Sequence, residues 1–267
     1  MGCPRKGAHN ERSPVKPVEV HRTIEGPPDA PVLVLSGSVG STLDMWLPQR
    51  EALSGEYRVI SYDHRGHGKS PVPPGPYEIA DLAGDVLAML DQLEIEKAHF
   101  CGLSLGGAVG MWLSRYHPHR IDQVVLACTS SWFGPAEFWA ERAASVRANG
   151  MEWLAESTLT RWLSKDFADA EQKAAIRTMV ANTPRDGYIS ACAALGAWDF
   201  ADQLAEIPTP TLAIAGAEDP ATPPDHLRDI AAAIPRSRLV VLDGAAHLAN
   251  VERPVEFNDL LRAHLLG

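Results

Sequence analysis

The sequence lacks long apolar runs. None of its 267 residues belongs to a stretch approaching the roughly 18 apolar residues that a transmembrane helix needs. The first residues also have no apolar core of the kind that marks a signal peptide. The sequence therefore predicts a cytoplasmic protein without a membrane partner.

Cysteine is scarce, and the cysteines are far apart in the chain. They are Cys3, Cys101, Cys128 and Cys192. They form no C-x-x-C pair, and no histidine stands at metal-ligand spacing from any of them. This pattern predicts reduced thiols, with neither a disulfide framework nor a metal site.

Positive charge is also in short supply. Lys and Arg number 24 against 34 Asp and Glu, which gives a net charge of -10. A surface of that sign repels phosphate backbones and anionic lipid headgroups, so nucleic acid is an unfavourable partner. Residues 1–16 are net basic, with four Lys and Arg against one Glu, and we expect them to form a disordered N-terminal tail.

Short apolar runs rich in β-branched residues recur along the chain and predict buried strands. They lie at 32–35, 59–62, 99–101, 124–128, 212–215 and 239–242. Residues 77–93 repeat apolar side chains at three- and four-residue spacing, which predicts a helix packed on a sheet. The alternating segment 18–24 predicts an antiparallel edge strand. Together these patterns indicate an α/β fold with a mostly parallel central sheet flanked by helices.

The strand runs stop between residues 130 and 198, where the patterns become helical. Five of the seven tryptophans lie here: Trp132, Trp139, Trp153, Trp162 and Trp198. We expect 130–198 to be a helical lid, or cap, inserted in a core domain made of 17–129 and 199–267. The alternative is a structural helical layer whose tryptophans only fill its own core.

The strongest chemical signal is the G-x-S-x-G pattern from Gly102 to Gly106. It follows the apolar run ending at Cys101 and precedes a helical run. A sharp strand-to-helix turn of this kind exposes its serine above the sheet, which predicts Ser104 as a nucleophile. The alternative is a glycine-rich turn with an incidental serine.

A serine nucleophile needs a base and an orienting carboxylate, which in this topology follow as an acid and then a histidine. Asp219 stands in the loop after one strand run and His247 in the loop after the last one. Both positions are at the carboxyl ends of strands, where catalytic groups of open parallel sheets collect. Glu218 is the rival candidate for the acid.

An oxyanion formed at the substrate carbonyl needs backbone N–H donors. The predicted donors are Leu105, directly after the nucleophile, and Val39, in the loop after an early strand. Gly37 and Gly40 free that loop to turn an N–H inward. A plain glycine-rich turn is the alternative.

Over residues 18–265 the sequence resembles the α/β-hydrolase fold and, within it, 3-oxoadipate enol-lactonases. The resemblance rests on SGSVGSTLDMW, DHRGHGKS, GLSLGGAVGMWL, FWAERAASVRANG, PTPTLAIAGAEDPATPP and AAHLANVERP, among others. It implies that Ser104, Asp219 and His247 act as a triad on a five-membered enol-lactone carrying a carboxylate, without a cofactor. One departure is Gly37-Ser38, where these lactonases tend to have Asn-Ser.

The rival functions share this scaffold. A broad carboxylesterase would use the same three residues, and a ligand receptor could retain the fold without turnover. Dehalogenases and epoxide hydrolases of this fold attack with Asp, where this chain has Ser104.

Binding an anionic substrate to an acidic protein requires a local cation. Trp139 and Arg142 stand three residues apart and would share one helix face, so they are the predicted substrate-binding pair, together with Trp198. The alternative is that Arg142 is a surface residue paired with Glu137 or Glu141.

Overall fold

The computed structural model describes residues 16–266, and a seven-stranded sheet forms its centre. The strands are β1 Arg22–Glu25, β2 Val32–Ser36, β3 Arg58–Tyr62, β4 Ala98–Leu103, β5 Ile121–Ala127, β6 Thr211–Gly216 and β7 Ser237–Leu242. Their order is β1-β3-β2-β4-β5-β6-β7, and only the β1–β3 pair is antiparallel. The predicted mostly parallel sheet is confirmed. The predicted disordered tail falls outside the described residues, except for Lys16.

The expected edge strand is present but shorter than its sequence pattern. β1 begins at Arg22 and pairs with β3 at the sheet edge. The alternation began at Val18, but the backbone N–H of Val18 donates to the Asp85 carboxylate at 2.8 Å instead of to a strand. A side-chain acceptor thus replaces the strand pairing there.

Nine α-helices are found in the described part of the chain. They are α1 Leu47–Leu53, α2 Ile79–Gln92, α3 Leu105–Tyr116, α4 Ala136–Trp162, α5 Ala170–Ala181, α6 Arg185–Gly196, α7 Pro224–Ala233, α8 Ala249–Glu252 and α9 Pro254–Leu265. The predicted helix 77–93 is α2, which begins after a reciprocal cap in which the side chains of Glu78 and Asp81 each accept the other's backbone N–H.

Helices α4, α5 and α6 form an insertion between β5 and β6. Helix α4 is broken at Gly150, whose φ of 80° and ψ of 178° are not helical. Among the tryptophans of the segment, Trp132 and Trp153 are 49% and 45% exposed, whereas Trp139, Trp162 and Trp198 are buried. The segment therefore has both buried and exposed aromatic surface.

The loop after β3 ties neighbouring segments together. The Asp63 carboxylate accepts the N–H of Leu43 at 2.8 Å and that of Lys69 at 2.9 Å. The buried Arg65 guanidinium donates to Asp85 on α2 through two bonds of 2.6 Å. These contacts fix the loops that lie beside the carboxyl ends of β2 and β3.

Three further features belong to the described residues. Cys101, Cys128 and Cys192 are buried free thiols. No group of three or more His, Cys, Asp or Glu side chains is arranged there to hold a metal ion. None of the helices has both the length and the apolarity to cross a membrane.

Candidate active site

Ser104 stands on a strained turn between β4 and α3. Its φ of 57° and ψ of -112° are unusual for a residue with a side chain. The turn is possible because its glycines leave room: a Cβ on Gly102 would lie 2.1 Å from the Gly106 carbonyl oxygen, and one on Gly106 would lie 2.1 Å from that of Ser36. These close backbone approaches set the position of the predicted nucleophile.

The backbone around Ser104 is held by hydrogen bonds. Its carbonyl oxygen accepts the Thr129 hydroxyl at 2.7 Å and the Gly107 N–H at 2.9 Å. Thr129 follows β5, so the turn is anchored to the neighbouring strand as well as to its own helix. Such anchoring offsets the strain of the turn.

Asp219 and His247 meet beyond the carboxyl ends of β6 and β7. Nδ1 of His247 lies 2.8 Å from Oδ2 of Asp219, and the two residues are 2% and 3% exposed. A carboxylate only accepts hydrogen bonds, so Nδ1 carries the proton and Nε2 keeps its lone pair. Glu218 is exposed to solvent, so the geometry favours Asp219 as the partner of His247.

Thr222 is a contact that sequence reasoning missed. Its hydroxyl donates to Oδ2 of Asp219 at 2.7 Å and lies 3.3 Å from Nδ1 of His247. The N–H groups of Ala221 and Thr222 donate to the other carboxylate oxygen at 2.8 and 3.1 Å. The sequence signal that could have identified Thr222 is the Asp-x-x-Thr spacing after a strand, which is typical of a turn capped by a side chain.

These contacts decide the charge of Asp219. Burial alone would raise the pKa of its carboxyl, but the charge and hydrogen bond of His247 and the bonds from Thr222 together hold that pKa below its usual value. Asp219 is thus ionised at neutral pH and able to orient the imidazole.

The loop after β2 contains Val39 and is fixed from two sides. The Gly37 carbonyl oxygen accepts the Gly106 N–H at 3.0 Å and Nε2 of His64 at 3.1 Å. Val39 lines the cavity described below, whereas Leu105 is fully buried and does not line it. Neither the Val39 N–H nor the Leu105 N–H donates to a backbone carbonyl in the described loops and helix caps. In that part of the backbone, both N–H groups are therefore unpaired.

His64 supports this loop as a neutral imidazole. Burial and, to a smaller extent, the nearby His67 lower its pKa to about 3, although its hydrogen bond to the Gly37 carbonyl acts in the opposite direction. Because the Gly37 carbonyl only accepts, the proton of the neutral ring is on Nε2. No pattern in the sequence assigned a function to this histidine.

A cavity of about 410 Å³ brings most of the predicted residues together. Ser104, His247, Val39, Trp139 and Arg142 all line it. Lining residues that sequence reasoning did not select are Thr158, Arg161, Trp162, Tyr188 and Thr222. In the described part of the chain, no Asp or Glu lines this cavity.

Arg142 faces this cavity and is held by aromatic side chains. Its Nε donates to the Tyr188 hydroxyl at 2.6 Å, and its guanidinium lies 6.0 Å from the ring centroids of both Trp139 and Tyr188. Within residues 16–266 it has no carboxylate at salt-bridge distance, so the expected alternative of a pair with Glu137 or Glu141 is not what forms.

Trp198 does not line the cavity, in contrast to its predicted role in substrate binding. Its indole N–H donates to the Ser130 carbonyl at 3.0 Å, and its ring stacks on Phe200 with centroids 4.6 Å apart. Its ring and its indole N–H are therefore both engaged within the chain. Trp198 packs the base of the insertion.

Glu252 links the His247 loop to the insertion and was not selected from the sequence. Its buried carboxylate accepts the Ala246 N–H at 2.6 Å, and its other oxygen accepts the N–H of Ser164 at 2.9 Å. The Trp162 ring lies 6.3 Å from the His247 ring. The end of α4 and the predicted base are therefore held in one arrangement.

Comparison with known proteins gives one family over most of the chain. Residues 30–254 match the family described as alpha/beta hydrolase fold. Two 3-oxoadipate enol-lactonases of Acinetobacter baylyi are 42% and 40% identical, over 88% and 89% of this chain and 88% and 90% of their own length.

Other relatives carry different names. A putative carbamate hydrolase, RutD, of Pseudomonas syringae is 34% identical over 89% of this chain and 94% of its own. Among solved structures, the enol-lactonase from Burkholderia xenovorans superposes with a TM-score of 0.91 at 41% identity, covering 94% of this chain and 97% of that one. The site described above therefore lies in a scaffold shared with lactone hydrolases.

Proposed function

The chain belongs to the α/β-hydrolase family, and we propose that it opens the ring of 3-oxoadipate enol-lactone to 3-oxoadipate, in the cytoplasmic breakdown of aromatic compounds. Its relatedness to enol-lactonases supports a lactone-hydrolysing enzyme. The finer assignment of substrate, triad and acyl-enzyme is our proposal.

One arrangement of side chains supports this proposal. A serine on a strained turn and a histidine paired with a buried aspartate line the same cavity as an arginine that has no carboxylate partner in the described chain. The first two groups suit acyl transfer, and the third suits a substrate that carries its own carboxylate.

In the proposed acylation step, Nε2 of His247 takes the Ser104 hydroxyl proton as Oγ attacks the lactone carbonyl carbon. The Asp219 carboxylate holds the imidazole in the required tautomer and stabilises its positive charge. The N–H groups of Val39 and Leu105 would donate to the oxyanion. The bond from carbonyl carbon to ring oxygen breaks, and the enol oxygen leaves with the proton that His247 took from Ser104.

In the second step, water attacks the acyl-enzyme while His247 removes its proton. Ser104 Oγ departs with the proton held by the imidazole, and a carboxylate is released. The enol tautomerises to a ketone, which is no longer a competent ring-closing nucleophile, so opening is effectively irreversible. The proposed steps use only side chains, backbone N–H groups and water.

The insertion would act as the lid and supply the substrate contacts. Trp139 offers an indole beside the lactone ring, and Arg142 offers a guanidinium for the carboxylate. The hydrogen bond from Arg142 Nε to Tyr188 uses one donor and leaves the NH groups for two bonds to a carboxylate. The boundary of this lid would be 130–198, with 17–129 and 199–267 as the core domain.

A carboxylesterase and a carbamate hydrolase would use the same three residues. The lactone is favoured over a neutral ester because its carboxylate can pair with Arg142. A neutral ester would leave this partly buried cation without a partner, which costs free energy. A receptor that binds without turnover is disfavoured by the ordered Asp219–His247 pair.

The test of function is turnover of the lactone by the purified protein, followed by the change in ultraviolet absorbance as the ring opens. We expect turnover by the wild-type protein and its near-complete loss in Ser104→Ala, with the melting temperature unchanged. Binding of the lactone without turnover would identify a receptor instead. Equal turnover by both proteins would reject Ser104 as the nucleophile.

A further inference from the structure

A second arginine faces the cavity. Arg161 lines it together with Arg142, is partly buried, and has neither an ion pair nor a hydrogen bond among the described residues. Arginine is seldom buried without a partner, because its guanidinium carries five donors that lose water on burial. The free donors of Arg161 therefore point to a ligand that is not part of the chain.

The break in α4 is what brings these arginines to one cavity. In a continuous helix, residues 142 and 161 would lie roughly 28 Å apart along the axis. The non-helical backbone at Gly150 divides α4, and both of its halves line the same space. Because the break brings the guanidinium groups of Arg142 and Arg161 to one cavity, their positive charges repel each other.

That repulsion is evident at Arg161. Burial lowers the pKa of its guanidinium, and the positive charge of Arg142 lowers it further, while Tyr188 and Asp219 act in the opposite direction. The group still remains charged at neutral pH, because arginine starts from a very high pKa. An anion between the two cations would relieve the repulsion.

The two arginines have different neighbours in the cavity. Arg142 is packed against Trp139 and Tyr188. Arg161 precedes Trp162, whose ring lies 6.3 Å from that of His247. The charge of Asp219, the partner of His247, also acts on Arg161, so Arg161 lies near the predicted base.

We propose that Arg142 and Arg161 form a dicarboxylate site, in which Arg142 binds the carboxylate that the substrate already carries and Arg161 binds the one that hydrolysis creates at Ser104. This inference rests on the proposed function for the assignment of the two anions. Water supplies the oxygen of the new carboxylate, its proton leaves through His247, and Ser104 regains its hydroxyl. The product class recognised is a short linear dicarboxylate.

The proposal predicts that the free protein binds a dicarboxylate more tightly than a monocarboxylate of equal length. Adipate and hexanoate are suitable probes, because each has six carbons and only adipate has the second charge. The apolar end of hexanoate favours its burial, so a preference for adipate is a stringent result.

The experiment is isothermal titration calorimetry of both probes with four proteins: wild type, Arg161→Gln, Arg142→Gln and Arg185→Gln. Arg185 lies in the insertion but does not line the cavity, so its variant removes the same charge elsewhere. We expect the wild-type protein to bind adipate about tenfold more tightly than hexanoate, as expected for one charged hydrogen-bonding pair.

In Arg161→Gln the affinity for adipate should fall about tenfold while that for hexanoate stays unchanged. Arg142→Gln should weaken both probes, and Arg185→Gln neither. Arg161→Lys retains a cation and should keep part of the preference, which guards against a folding defect in the Gln variant.

Equal affinity of the wild-type protein for both probes would overturn the proposal. An equal loss of both probes in Arg161→Gln would also overturn it, because both arginines would then bind a single carboxylate. Binding is measured without turnover, so failure of the lactonase assay alone does not decide this inference.

Discussion

Oδ2 of Asp219 lies 2.8 Å from Nδ1 of His247 and 2.7 Å from the hydroxyl of Thr222, so one carboxylate oxygen orients two side chains that line the cavity. The adjacent Glu218 is exposed and takes no part in this arrangement. The two neighbouring carboxylates therefore differ sharply in what their removal should do.

Asp219→Asn should lower kcat for the lactone by about 10⁴-fold, because the amide no longer selects the tautomer with its proton on Nδ1. Glu218→Gln is the matched control and should leave kcat within a factor of about two. Steady-state assays of both variants give the comparison. The reverse ranking would reassign the orienting acid to Glu218.

Thr222→Val should lower kcat while changing KM little, because the hydroxyl positions Asp219 and His247 without a substrate contact in the proposed mechanism. Loss of a bond to a carboxylate corresponds to about 1.5 to 3 kcal/mol, or roughly 10- to 150-fold in kcat. Thr222→Ser retains the hydroxyl and should recover most of the rate. Equal rates for the Val and Ser variants would show that Thr222 acts through packing alone.

Acid should destabilise the protein through His64. The folded state keeps this group neutral down to a pKa of about 3, whereas the unfolded chain takes up a proton near pH 6.5. Between these values the unfolded state binds more protons, so the free energy of unfolding falls as pH falls, by about 1.4 kcal/mol per pH unit for this group.

His64→Gln should reduce that slope by the same amount, measured by urea denaturation at pH values from 7 to 4. The lowered pKa of His67, caused mainly by burial, adds a slope of the same sign that the variant keeps. An unchanged slope in His64→Gln would mean that another group controls acid stability.

Arg142→Ala should raise KM for the lactone by a factor corresponding to about 2 to 3 kcal/mol, the scale of a charged hydrogen bond lost. Hydrolysis of a neutral aryl acetate should change little, because that substrate has no carboxylate. Arg185→Ala controls for loss of charge from the insertion. An equal effect on both substrates would make Arg142 a structural support of the insertion.

The sequence was sufficient to predict the sheet and the order of the loops that carry Ser104, Asp219 and His247. It also indicated the contact between Asp219 and His247, because all of these follow from local patterns. Apolar runs predict strands, and the loops after parallel strands collect at one edge. The position of Ser104 follows from the same reasoning. Gly102 and Gly106 are required beside it, because a Cβ at either position would lie 2.1 Å from a backbone carbonyl oxygen.

The lining of the cavity was less accessible, since it depends on how the insertion folds over the sheet. Arg161 enters the cavity because α4 breaks at Gly150, and a glycine within a helical pattern does not reveal the direction of the break. Trp198 was selected for its residue type, but the stacking on Phe200 that removes it from the cavity is a tertiary contact.

Our claim that this hydrolase selects an anionic lactone is decided by the ratio of kcat/KM for 3-oxoadipate enol-lactone to kcat/KM for a simple aryl acetate. With both substrates assayed on the same wild-type preparation, we expect the lactone to be favoured by about 100-fold or more, the scale of a paired carboxylate. A wide preference for the aryl acetate would contradict the claim and identify a carboxylesterase.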